Sequence, residues 1–83
     1  MITKSYEIMT QYGITSEYQI VSKIYYNYQT EVLEYEFNLY INQDLYNQGY
    51  PPLIVSKYFI ENINTVEEIE TAINTDLDSK FNS

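Results

Sequence analysis

Glu34 and Glu36 stand two residues apart, a spacing that on a strand sets both carboxylates on one face with their Cα atoms about 7 Å apart. One could then act as general acid and the other as base. Such catalysis also needs a pocket, a positioned donor and a shifted pKa, and a chain of 83 residues must draw its core from the same small stock of side chains. A solvated strand face is the competing reading, and no enzyme activity is expected. Near the C-terminus Asp76, Asp78 and Lys80 imitate the odd-numbered start of a calcium loop. Phe81 stands where that loop requires glycine, and the glutamate of the twelfth position would fall past Ser83. With no cysteine and no histidine, thiol chemistry, zinc sites and Ser-His-Asp relays are excluded. Two glycines make no phosphate-cradling loop, so neither a metal nor a cofactor is expected.

Charge is the stronger signal. Twelve acidic residues against four lysines, without arginine, give a formal charge of −8. The dispersed Lys4, Lys23, Lys57 and Lys80 cannot form a stripe that neutralises phosphates, so direct nucleic-acid binding is disfavoured. The acids are concentrated: residues 31–44 hold Glu31, Glu34, Glu36 and Asp44 with no lysine, and residues 61–78 hold six more, again with none. Carboxylates at strand spacing and along one helix face can engage several Lys and Arg side chains at once, and their summed field speeds encounter. The functional reading is a surface that imitates the charge of a nucleic-acid backbone and occupies a basic groove on another protein. Its candidate partner-binding residues are Glu31, Glu34, Glu36, Tyr40, Asp44, Glu67, Glu70 and Asp78. A solubilising polar face is the alternative. Among the eleven tyrosines, Tyr25 and Tyr40 fall on polar parities and are the candidate interface anchors, whereas Tyr6, Tyr18, Tyr35 and Tyr58 sit among apolar partners.

These side chains require elements to hold them. Residues 3–12 carry Tyr6 and Met9, with Ile2, at near-helical spacing before Gly13-Ile14, which predicts a short helix with a glycine stop. Leu33, Tyr35, Phe37, Leu39 and Ile41 alternate with Glu34, Glu36, Asn38 and Asn42, a half-buried strand. Upstream, Tyr18, Ile20, Ile24, Tyr26 and Tyr28 alternate with Glu17, Gln19, Lys23 and Asn27, a second strand joined through Gln29 and Thr30. A rival helix over residues 31–48 would align Leu33, Phe37, Tyr40, Ile41 and Leu45 and stop at Gly49. The lack of an Asn-Gly or Asp-Gly turn favours it, while Glu36 inside its stripe and the β-branched and aromatic load oppose it. Residues 43–52 read as a loop leaving through Tyr50-Pro51-Pro52, and residues 53–60 as a third strand. Thr65-Val66-Glu67-Glu68 has the form of a capping box. It opens a helix whose apolar stripe is Val66, Ile69, Ile73, Leu77 and Phe81. The expected fold is α+β, in the order αβββα: a helix, a three-stranded antiparallel sheet and a C-terminal amphipathic helix. An all-α bundle is the alternative.

A hydrophobic fraction of 45% and an aromatic fraction of 17% are too high for a disordered acidic tail. One small domain, residues 1–83, is expected. Such a chain buries only roughly 60–65% of its unfolded surface. No apolar run approaches a membrane span, and no signal-peptide core follows Met1, so a cytoplasmic location without membrane contact is expected.

In size, charge and element order the chain resembles the small acidic phage-encoded inhibitors of bacterial defence, anti-CRISPR proteins above all. The resemblance lies in the Glu34-Tyr35-Glu36-Phe37 strand, the loop to Pro51-Pro52 and the acidic helix over residues 65–81. It implies a DNA mimic in the cytoplasm of a bacterial host, blocking the nucleic-acid site of a Cas nuclease or another defence effector. The aromatic load supports a different reading, an adaptor or oligomerisation module that binds through a strand edge and exposed tyrosines.

Overall fold

Residues 33–39 alternate apolar and acidic or amide side chains, and they form the strand on which the rest of the molecule is assembled. The computed structural model describes residues 2–81. The elements run β1 (Ile2–Lys4), β2 (Ile8–Met9), β3 (Thr15–Ser16), β4 (Tyr18–Asn27), β5 (Val32–Tyr40), α1 (Gln43–Asn47), β6 (Ile54–Ile60) and α2 (Ile69–Phe81), with a 3-10 turn at Val66–Glu68 ahead of α2. Four strands form one antiparallel sheet in the order β1-β4-β5-β6, and β2 pairs with β3 in a separate antiparallel hairpin. The fold is therefore α+β with a C-terminal helix. The sheet has four strands rather than the expected three, and the bundle alternative falls because residues 32–40 are a strand.

Leu33, Tyr35, Phe37 and Leu39 all point to one face and are buried. They pack with Val21 of β4, Ile63 of the loop after β6, and Ile73 and Leu77 of α2. Phe81, at the end of α2, stacks on Phe37 with ring centroids 5.4 Å apart. Each such burial stabilises by roughly 1.5–3 kcal/mol. The helix stripe was expected to start at Val66, but Val66 is exposed, because it lies in the 3-10 turn ahead of α2 and falls out of the helical period that buries Ile73 and Leu77. The expected capping box does not form, and Glu68 reaches back one residue further, to Asn64, instead of to the N-cap Thr65. Glu68 Oε2 accepts from the Asn64 amide at 3.3 Å, while the Thr65 hydroxyl makes no capping bond.

Tyrosine hydroxyls tie the helix layer to the sheet. Tyr35 is fully buried, and its hydroxyl donates to Asp76 Oδ2 at 2.6 Å. Asp76 also accepts from Lys80 at 2.9 Å. Tyr6 donates to the Asp78 carboxylate, and Tyr26 to the Ile63 carbonyl. A buried phenol without an acceptor would cost about 1–3 kcal/mol. Asp76, Asp78 and Lys80 thus lie on a regular helix and act there, not in a calcium-type loop.

The predicted N-terminal helix does not form. Ile2, Thr3 and Lys4 instead pair with Val21, Ile20 and Gln19, where β-branched residues suit the pleat. The Tyr6 amide donates to the side chain of the buried Gln19. Gly13 takes φ +76° within a turn closed by its amide on the Thr10 carbonyl, so its left-handed backbone serves a hairpin and not a helix end. The expected loop over residues 43–52 contains α1, capped by Asn42 Oδ1 accepting from the Leu45 amide at 2.9 Å.

In β4 the phase changes. Ser22 pairs with Glu36 and Tyr25 with Glu34, so Lys23 and Ile24 both stand opposite Tyr35. Lys23 adopts φ +52° in this bulge. Before it, Gln19 and Val21 face the core; after it, Tyr26 does. Tyr18 and Ile20 therefore fall on the opposite face, where Ile20 is buried all the same, and Ile24 stands exposed in the bulge.

Burial, with the Asp78 hydrogen bond and charge, pushes the Tyr6 phenol up to about 12, and burial with Asp76 pushes Tyr35 well above the ordinary tyrosine value of 10.0. A phenol whose folded pKa is raised stabilises the fold in full below its unfolded pKa, and that contribution fades as pH climbs toward the folded value. An alkaline titration followed at Tyr6 and Tyr35 should therefore find both phenols still largely un-ionised at about pH 11. Denaturant stability should fall above pH 10, and Tyr35→Phe should lessen that fall. Ordinary titration of Tyr35 in the folded protein would contradict the assignment.

Candidate functional site

One face of the sheet is covered by α2; the other is open over its β4–β6 middle, although Ile20 is buried there and Tyr46 of α1 packs on the Tyr18–Tyr40 row. Strand register arranges the open face in rows: Asn27 with Val32, Tyr25 with Glu34 and Phe59, Ser22 with Glu36 and Lys57, Ile20 with Asn38 and Val55, and Tyr18 with Tyr40. Tyr25 is 61% exposed, Phe59 60% and Val55 52%. The two carboxylates that looked lysine-free in sequence are matched here by neighbouring strands. Lys57 Nζ lies 3.6 Å from Glu34 Oε1, and Lys23 Nζ lies 3.7 Å from Glu36 Oε1. The middle of the open face is therefore close to electrically neutral. β6 is an edge strand, bonded to β5 on one side and, among the described residues, to no backbone on the other. Lys57 at its centre disfavours pairing with another strand.

Five acidic residues without a lysine partner gather at one end of the molecule, while Glu7, Glu17 and Asp44, also exposed, belong to other segments. The β4–β5 turn is organised by Asn27 Oδ1, which accepts from the Gln29 and Thr30 amides, and it ends in Glu31 with φ +58°. The Glu31 carbonyl accepts from the Ile63 amide at 3.0 Å. That bond brings the turn against the loop after β6 and the entrance to α2. Glu31, Glu61, Glu67, Glu68 and Glu70 are thereby carried on three adjoining segments, and all five residues are exposed. None of the four lysines belongs to these segments. The last three glutamates also lie at the N-terminal end of α2, where the helix dipole attracts negative charge.

At the opposite end, about 30 Å away along β5, Asp44 sits exposed in the first turn of α1. Tyr40 packs between Tyr18 and Tyr46, with ring centroids 6.5 and 4.9 Å away. Beside this cluster an apolar cavity of about 410 Å³ is lined by Tyr12, Tyr40, Leu45, Tyr50, Pro51 and Pro52, among others.

The eight candidate residues do not make one surface. Glu31, Glu67 and Glu70 come together at the acidic end; Glu34 and Glu36 are held by lysines on the open face; Tyr40 and Asp44 lie at the far end; Asp78 is engaged by Tyr6. Sequence reasoning passed over Glu61 and Glu68 of the acidic end, and Val55 and Phe59 of the open face. Lys57 between those two apolar residues was the available sign that their parity faces solvent. Among the described residues no group of three or more acidic side chains is arranged to hold a metal ion, and no helix is long and apolar enough to cross a membrane.

Because both lysines are solvent-exposed, Lys57→Gln should lower stability in urea unfolding by less than about 1 kcal/mol. A much larger loss would mean that the Glu34 pair is shielded from water.

Comparison of the chain with protein-family models, with curated proteins and with solved structures finds no match.

Proposed function

We propose that this chain is a non-enzymatic binding protein that blocks a basic, nucleic-acid-binding groove on a nuclease or CRISPR effector by occupying it, as anti-CRISPR proteins do. The observation that carries this reading is the gathering of five glutamates on three segments joined by the Ile63–Glu31 bond, while the lysines are occupied elsewhere. Lys23, Lys57 and Lys80 each contact a carboxylate, and Lys4 lies over the Tyr6 ring. A compact acidic end of this kind can meet several Arg and Lys side chains together and steer encounter through its field. Glu34 and Glu36 contribute least, since the same contact must first displace their lysines. Cytoplasm of a bacterial host is the compartment this target class implies.

The exposed Tyr25 of β4 with Val55 and Phe59 of the edge strand β6 support a second reading, an adaptor that binds through the open face.

The test is DNA cleavage by a panel of purified guide-RNA-dependent and guide-independent nucleases, with the protein titrated in. The inhibitor reading expects inhibition of at least one enzyme, relieved by excess nucleic acid and by raised salt, and lost when Glu31, Glu61, Glu67 and Glu70 are reversed to lysine together. No inhibition across the panel, or inhibition that survives the reversal, contradicts it. Salt-insensitive inhibition lost instead on Phe59→Ser points to the adaptor surface.

A further inference from the structure

The acidic end contains a cleft of about 450 Å³ lined by Ile2, Ile24, Val66, Glu67, Ile69 and Glu70. Four of these side chains are aliphatic and two are carboxylates. Glu67 and Glu70 are three residues apart where the 3-10 turn runs into α2, so they are neighbours on one side of the helix entrance. The aliphatic part is not sealed off as core. Val66 is 68% exposed and Ile24 45% exposed, although both stand at backbone irregularities, the 3-10 turn and the β4 bulge, where a polar residue would serve the backbone as well.

We infer that this cleft receives a long basic side chain of a partner protein, arginine above all, with its aliphatic stem on Ile24, Val66 and Ile69 and its cationic head between Glu67 and Glu70. Lysine and arginine carry an apolar stem and a charged tip in one side chain, and the cleft offers the complement of both. An anion would face two carboxylates. A wholly apolar group would cover the aliphatic wall while drawing water away from Glu67 and Glu70 with nothing in return. Arginine suits the site better than lysine, because the guanidinium is more weakly hydrated and presents a planar fork that can bridge two carboxylates. The inference rests on the proposed function in one respect, since it names the side chain through which a basic partner would be anchored at the acidic end.

The probe is the blocked tripeptide acetyl-Gly-Arg-Gly-amide, followed by methyl NMR at isoleucine and valine positions. Its norleucine counterpart supplies a stem without a head, and the guanidinium ion supplies a head without a stem. The arginine peptide should shift the Ile24, Val66 and Ile69 methyls with an affinity above both controls, by up to about fivefold over norleucine, the upper end of what one exposed charge contact supplies. Glu67→Gln with Glu70→Gln should reduce it to the norleucine level, and Ile24→Thr with Val66→Thr to the guanidinium level. The inference is overturned if the methyls do not move, if guanidinium alone moves them as strongly as the peptide, or if the norleucine peptide binds equally well. The two readings fail separately. Methyl shifts without inhibition of any nuclease would leave the cleft standing and remove the inhibitor, whereas inhibition with unmoved methyls would do the reverse.

Discussion

A thirteen-residue helix is about 20 Å long and can cover only one face of a four-stranded sheet. The rest of the molecule is arranged around that limit. On the covered face the apolar side chains of β5 meet Ile73 and Leu77, and the depth of the sheet is bridged by tyrosines whose hydroxyls reach polar groups of the helix layer. Tyr35 is the central case: its ring fills the core and its hydroxyl ends on Asp76, which Lys80 holds from one turn further along. The helix is thus fixed both by non-directional burial and by a hydrogen bond with defined geometry, which selects one seating of α2 among those that burial alone would accept.

The uncovered face must remain in water, and its composition answers that requirement. Glutamates on β5 are met by lysines from β4 and β6, so the middle of the sheet carries little net charge. Five of the carboxylates without a lysine partner are gathered at the end where turn, loop and helix entrance adjoin, with Glu7, Glu17 and Asp44 on other segments. There the helix dipole makes three adjacent glutamates tolerable, and the aliphatic lining of the nearby cleft gives the charge a surface to act beside. The same distribution connects fold to proposed function. A binding surface that depended on Glu34 and Glu36 would compete with the protein's own lysines; one at the acidic end would not.

What was legible in sequence follows the strength of local patterns. The β5 alternation, the boundaries of β6 and the Ile69, Ile73, Leu77 and Phe81 stripe were readable, because each repeats one period over several turns or residues. The β4 phase was not, since a bulge at Lys23 and Ile24 involves no glycine and is set by pairing with β5. The N-terminal segment misled because Tyr6 and Met9 have helical spacing, while the partners that make Ile2–Lys4 a strand lie some seventeen residues downstream on β4. The turn after β4 lacks an Asn-Gly signal because it uses the Asn27 side chain and a left-handed Glu31 instead. For the site, acidic density was readable along the chain, but cross-strand neutralisation was not. It is a property of register, so lysines far away in sequence removed Glu34 and Glu36 from the charged surface.

The central claim is this displacement of charge from the open face to one end, and it can be measured without knowing any partner. Paramagnetic relaxation of backbone amides should be compared between a cationic and an anionic nitroxide cosolute of similar size. The cationic probe should dominate most strongly at Glu31, Glu61 and residues 67–70, with a ratio closer to unity at Glu34 and Glu36. A uniform ratio over the surface, or a maximum on the open face, would contradict the account.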